Sequence, residues 1–276
     1  MQQNRCKNCG HSFPGKFCNH CGEKVYHEHD KRITHLFEEG FHFMTHFEGK
    51  FFTTIKTIFI SPGKVSLDYS NGIRKKYFKP LSLFLLLVII YLLFPLTEGL
   101  NMRAQFHTGN MLYGNYAASK IAEIKNEAGL DDASFESIFH SKGEKVSRLL
   151  LVVLIPLSAL WFWLLTYKRR PYYFDQVVFS AEVNSFYLLW GFILFPVLAN
   201  FFRYLFLNNA APITESSWLI AGFIPIAIFT IAGSYRFYNL NKWKAVLFGL
   251  LFLLVHTIIL QFIYKFILFV IIIHLI

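Results

Sequence analysis

The stretch Leu149-Leu-Leu-Val-Val-Leu-Ile-Pro-Leu-Ser-Ala-Leu-Trp-Phe-Trp-Leu-Leu-Thr166 decides the class of this chain, because eighteen residues pass without one charge. A helix of that length covers about 27 Å, close to the ~30 Å hydrocarbon core of a bilayer. Four more apolar blocks run over residues 81–97, 177–206, 217–234 and 245–275. The blocks predict an all-α integral membrane protein with about five transmembrane helices. The first and fourth are short, and Pro95, Pro156, Pro196 and Pro225 predict kinks, with six spans or a re-entrant segment as the alternative counts.

Composition agrees: 54% of residues are hydrophobic, 18% aromatic and only 16% charged, against roughly 45–50% apolar content in soluble domains. Mean hydropathy is +0.40. The apolar residues gather after Lys79, so the expected organisation is a head at 1–25, a linking region at 26–80 and a transmembrane domain at 81–276.

The net charge of +10 could signal nucleic acid, but its distribution favours topology. Lys168, Arg169, Arg170, Arg236, Lys242 and Lys244 fall in loops that share a side with the basic head, while residues 207–216 contain no Lys or Arg. Positive loops stay cytoplasmic. The start, Met1 to Cys6, has no apolar run, so the first membrane helix is expected to direct insertion and leave the head in the cytoplasm. The expected place is the bacterial inner membrane, with an extracytoplasmic loop at 98–148 and an exterior C-terminus. That loop carries two amphipathic stretches, 116–128 and 132–141, joined by Gly129-Leu-Asp, and these predict a small helical cap. Tyr167, Tyr172, Tyr173, Trp218, Tyr235, Tyr238 and Trp243 stand near the proposed helix ends, where an aromatic belt belongs.

All four cysteines lie in the head as two Cys-x-x-Cys pairs, Cys6 with Cys9 and Cys18 with Cys21, each followed by glycine, Gly10 and Gly22. This spacing predicts a zinc ribbon, since each tight turn can aim two thiolates and nearby amides at one tetrahedral ion. Disulfides are disfavoured by a reducing compartment, and a redox pair by the doubling of the motif. Four thiolates close the site, which makes its role structural rather than catalytic.

From Ile33 to Ile60 the apolar residues return with helical period, among them Phe37, Phe41, Phe47, Phe51, Ile55 and Ile58. An amphipathic interfacial helix is expected. His35, Glu39, His42 and His46 follow an i, i+4, i+7, i+11 pattern on its other side, a candidate second metal site or a solvated polar face. Phe43 stands where a zincin helix needs its catalytic Glu, which argues against a protease. Arg74, Lys75, Lys76 and Lys79 then reach the first apolar block, where they can anchor topology or meet anionic lipid.

Within the apolar blocks Glu182, Asn184, His256, Gln261 and Lys265 are costly unless they face one another or water. They form a candidate intramembrane polar site, with snorkelling and helix-to-helix bonding as the plainer reading. No phosphate loop, nucleophile elbow or nucleotide fingerprint occurs.

The order Cys-x-x-Cys-Gly twice, histidine-bearing helix, Ser61-Pro62-Gly63-Lys64, Asp68-Tyr69, Asn71-Gly72-Ile-Arg74-Lys-Lys-Tyr77-Phe-Lys-Pro80 and then membrane helices resembles an uncharacterised bacterial family known as a domain of unknown function. The resemblance covers residues 6–80 and is weaker beyond. A looser architectural likeness is to Yip-type membrane proteins. The resembled family often carries histidines in its third membrane helix, where this chain reads Phe179-Ser-Ala-Glu182-Val-Asn184-Ser-Phe186 and departs from that pattern.

The functional expectation is non-enzymatic recruitment, scaffolding or sensing at the cytoplasmic membrane surface. Zinc is the cofactor, the bilayer with its anionic lipids and a cytoplasmic protein are the partners, and nucleic acid is disfavoured. The alternatives are a transporter or channel component using the intramembrane polar residues, and a metal-dependent enzyme acting on lipid.

Overall fold

The structure, a computed structural model, describes residues 3–6, 8–21, 49–94, 100–109, 111–206 and 215–276. The chain divides into two compact units, Met1–Lys50 and Phe51–Ile276. The histidine-bearing face, with His35, Glu39, His42 and His46, lies outside the described residues.

In the first unit, β1 (Gln3–Arg5) pairs antiparallel with β2 (Ser12–Pro14), Asn4 standing opposite Phe13. The turn between them closes through Gly10 N–H to Cys6 O at 2.9 Å and Cys6 N–H to His11 O at 2.9 Å. Gly10 takes φ 73°, a left-handed conformation that a side chain would strain. Phe13, with Cys6 and Cys18, forms the small buried core.

The second unit, in its described residues, forms helices joined by turns and loops. It opens with α1 (residues 49–60), α2 (Lys64–Ser70) and α3 (Pro80–Leu93). Next come α4 (Ala104–His107), α5 (Gly114–Ala128) and α6 (Asp132–Leu150). The remainder is α7 (Leu154–Thr166), α8 (Tyr173–Tyr187), α9 (Phe195–Phe206), α10 (Glu215–Phe237), α11 (Lys242–Ile258) and α12 (Lys265–Leu275).

Local chemistry sets the boundaries. Pro80 begins α3 in the first turn, where its missing N–H has no cost. Gly129, at φ 62°, ends α5, and two residues on the Asp131 carboxylate caps α6 by accepting from Ser134 N–H at 3.1 Å. Asn241 caps α11 in the same way, accepting from Lys244 N–H at 2.9 Å.

Several of these helices join end to end. Asp132–Thr166, Tyr173–Phe202 and Lys242–Leu275 are each continuous and apolar enough to cross a membrane, while Pro80–Leu93 and Ile224–Phe237 are shorter apolar helices. The joints carry the irregularity that the prolines predict. A 3-10 turn at Leu151–Val153 precedes Pro156, and a π-helical stretch at Leu188–Leu194 precedes Pro196, because each proline removes the N–H that would have bonded one turn back. A second π-helical stretch, Ile259–Tyr264, joins α11 to α12 without a proline.

The core is aromatic. Phe179 stacks on Phe237 with centroids 4.8 Å apart and planes 7° from parallel, Phe186 stacks on Phe229 at 4.2 Å, and Phe162 packs between Phe248 and Phe252. Leu81, Leu85, Ile89 and Leu93 on α3, and Leu247, Leu250, Leu254 and Ile258 on α11, point outward instead. Such apolar outer stripes are what a helix presents to an apolar solvent.

Residues 51–80 fold within the helical unit. Ile58 is fully buried there, with Phe51 and Ile55 packed on the same core, so the apolar side of α1 meets protein. Tyr238, expected in an aromatic belt, is buried and donates its hydroxyl to Gln176 Oε1 at 2.5 Å.

Candidate metal centre and polar sites of the helical unit

The four cysteine sulfurs all lie within 4.8 Å of one another, and among the described residues no other residue type enters the group. Cys6 Sγ is 3.4 Å from Cys21 Sγ, and Cys9 Sγ is 3.6 Å from Cys18 Sγ. A disulfide would need about 2.05 Å, whereas a tetrahedral ion with sulfurs at about 2.3 Å separates them by roughly 3.8 Å. The spacing fits one metal ion. Backbone amides already favour the anion: the N–H of Cys9 leads the contacts that bring Cys6 down to about 7. The N–H of His11 acts on Cys9 in the same direction, but burial and the neighbouring sulfurs outweigh it and push that thiol up to about 12. Four thiolates repel one another, and a dication is the charge that would let them coexist. His11 and His20 stack ring on ring at 5.4 Å beside the site and supply no ligand.

The polar residues of the apolar blocks separate into distinct environments. Glu182, on α8, is 1% exposed and is engaged by a turn more than a hundred residues away in sequence. Its Oε1 accepts from Gly63 N–H at 2.9 Å, and its Oε2 accepts from Ser66 N–H at 2.7 Å and from the Ser66 hydroxyl. These are orphan amides at the start of α2, so Glu182 caps that helix from a different element. The Ser66 hydroxyl also lies 3.3 Å from Val178 O. Arg236, at the end of α10, donates to Pro62 O.

The approach is close because two glycines meet. A Cβ on Gly63 would stand 2.5 Å from Gly233 O, and one on Gly233 would stand 3.2 Å from the Phe179 ring. Beyond α2, Tyr77 donates to Asp68 Oδ2 at 2.8 Å, with Lys64 3.6 Å from the same oxygen. Burial, reinforced by Asp68, pushes the Tyr77 phenol up to about 12, so it stays a donor. Phe78 N–H donates to Thr54 Oγ1 at 2.9 Å, tying the basic segment back to α1.

Asn184 turns away from Glu182 and donates to Ser180 O on its own helix at 2.8 Å. His256 is buried between Phe252, stacked at 5.0 Å, and the edge of Tyr187 at 5.4 Å. Gln261 accepts from Lys265 Nζ at 2.6 Å. These residues lie in separate environments, Asn184 Oδ1 and His256 Nδ1 buried without a hydrogen-bond partner, and no bond among the described residues links Glu182, Asn184, His256 and Lys265 into a chain.

Sequence reasoning named Glu182 but missed Ser66, Gly63 and Gly233 as its surroundings. The available signal was that a lone carboxylate in an apolar block needs donors, and the Ser61-Pro62-Gly63 turn opens a helix with its amides free.

The helices and the four-thiol cluster define a helical protein of membrane character with a site able to hold one metal ion. A protein-family model described as a protein of unknown function (DUF3667) matches residues 48–92, the stretch that contains α1, the Ser-Pro-Gly turn, α2 and all but the last residue of α3. No curated protein and no solved structure matches the chain.

Proposed function

We propose that this is a non-enzymatic protein of the bacterial inner membrane that crosses the bilayer five times and presents a zinc ribbon at the cytoplasmic surface to recruit or sense a protein there. The carrying observation is the convergence of four thiols on one small volume, with no histidine or carboxylate in the group among the described residues. A four-sulfur site leaves no position for substrate, so the bound zinc supplies folding free energy to a ribbon of two three-residue strands and a core of three side chains. The three long apolar helices and the two shorter ones, Pro80–Leu93 and Ile224–Phe237, support the five crossings, and the lipid bilayer is the resulting partner. Transport is the weaker reading, because no bond among the described residues aligns Glu182, Asn184, His256 and Lys265 along a path.

Elemental analysis tests the ribbon. One zinc per chain is expected in the parent and none in Cys9→Ser with Cys21→Ser, while cytoplasmic proteins captured by the parent in a crosslinking experiment should be lost with the zinc. Equal zinc in both forms overturns the metal assignment, and capture that is unchanged after zinc loss overturns the recruiting role.

A further inference from the structure

Between the end of α7 and the first turns of α11 lies a groove of about 480 Å3. Its walls have two characters. Leu165, Leu247 and Leu251 form an apolar floor, and Lys168, Arg169 and Lys244 stand around it, with no acidic residue in the lining. Leu247 belongs also to the outward apolar stripe of α11 and is 65% exposed, so the floor continues the surface that meets apolar solvent.

The cations are held there by the fold. Arg169 Nη1 donates to Tyr238 O at 3.2 Å and to Asn239 O at 3.0 Å, and Arg170 Nε donates to Phe237 O at 2.9 Å. Both arginines thus bond the carbonyls that end α10, a placement favoured by the helix dipole. Asp175, the carboxylate that follows this loop, is engaged by Arg170 at 3.4 Å. Lys168 rests 5.9 Å over the Tyr167 ring, and among the described residues neither Lys168, Arg169 nor Lys244 has a carboxylate partner.

We propose that this groove binds one anionic phospholipid, its phosphate among Lys168, Arg169 and Lys244 and one acyl chain along Leu165, Leu247 and Leu251. A free phosphate would use only the cations, and a neutral lipid only the floor. A ligand with both parts uses the whole groove, and basic pockets at the ends of membrane helices are matched to such headgroups. The inference rests on the reading that these helices span a bilayer.

The test uses the full-length protein in phosphatidylcholine vesicles containing a small fraction of spin-labelled phosphatidylglycerol or, separately, spin-labelled phosphatidylcholine. The motionally restricted signal should favour phosphatidylglycerol. The preference should fall by about an order of magnitude in Lys168→Gln with Lys244→Gln, and also in Leu247→Trp, which fills the floor and leaves the cations. Lys16→Gln with Lys145→Gln, which removes the same charge at exposed positions given no lipid contact, should retain it. Millimolar inorganic phosphate should not displace the lipid. Equal retention of the two lipids by the parent, an equal loss in the Lys16/Lys145 control, or displacement by phosphate alone would each overturn the site. Extraction of the protein from these vesicles by alkaline carbonate would instead refute the spanning reading, so the two failures are distinct.

Discussion

Glu182 stands in an apolar block with its cost offset by three donors, two of them amides that no helix of their own could satisfy. Each oxygen serves a different residue, Oε1 for Gly63 and Oε2 for Ser66. Glu182→Gln keeps the shape but must turn its NH2 toward one of those N–H groups, setting donor against donor. The expected loss is about 1–3 kcal/mol of stability, read as a lower melting temperature in detergent, and Glu182→Leu should lose more because it accepts from neither. A Gln variant as stable as the parent would show that the carboxylate does not hold the turn. Gly63→Ala tests the same junction from the other side. Its φ of 76° is strained for alanine, and its Cβ would meet backbone rather than a side chain that can move, so a loss of roughly 2–4 kcal/mol is expected. Sequence marked Glu182 as costly but could not place its donors, because a local pattern contains no record of a contact spanning more than a hundred residues. The cysteines were legible for the opposite reason. All four ligands lie within sixteen residues, Cys6 to Cys21, so their spacing is their geometry.

At the scale of elements, the amphipathic stretches 116–128 and 132–141 are helical, as α5 and the start of α6, with Gly129 and Asp131 marking the turn between them, and with α4 they make a small helical cap. Its centre is a residue that composition gave no reason to choose. His107 is fully buried, with Nδ1 2.8 Å from Tyr113 Oη, and its ring lies within 5.1–5.9 Å of Phe139, Phe269 and Tyr113. Burial, aided by the Lys265 charge, lowers its pKa from 6.5 to about 4, while burial holds the Tyr113 phenol up to about 12. Between pH 6.5 and 4 the unfolded chain therefore binds more protons than the folded cap. Stability from this residue is complete above about pH 6.5 and is lost as pH falls toward 4, by as much as about 3 kcal/mol. Hydrogen exchange of the amides in α4 and α5, corrected for intrinsic rate, should accelerate from pH 7 to pH 5 in the parent. His107→Gln, which still accepts from Tyr113 and does not titrate, should remove that acceleration. Identical pH dependence in the two proteins would place the sensitivity elsewhere.

For the whole molecule, the apolar blocks were legible as helices, but their orientation about their own axes was not. A helix that is apolar all round carries no periodic signal for which side packs, and α3 shows the consequence: Leu83, Phe84 and Leu87 are buried while Leu81, Leu85 and Ile89 point outward. What the sequence does distinguish is one end of a helix from the other. Asp132–Thr166 is 35 residues long, about 52 Å, so it exceeds the ~30 Å apolar layer and its polar first turns must project beyond it. Ser134, exposed in the first of those turns, marks that end, and Lys75, exposed among Arg74 and Lys76, marks the segment just before α3. If basic segments remain cytoplasmic, the two lie on opposite sides. A thiol reagent that cannot cross the membrane should label Ser134→Cys in intact cells and should label Lys75→Cys only after permeabilisation, each measured above the background of the parent's own four cysteines. Ser66 is unsuitable for the inner probe, since it is buried against Glu182 and would be silent on either side. Labelling of Lys75→Cys in intact cells with Ser134→Cys protected would invert the topology, and labelling of both would remove the crossing between them.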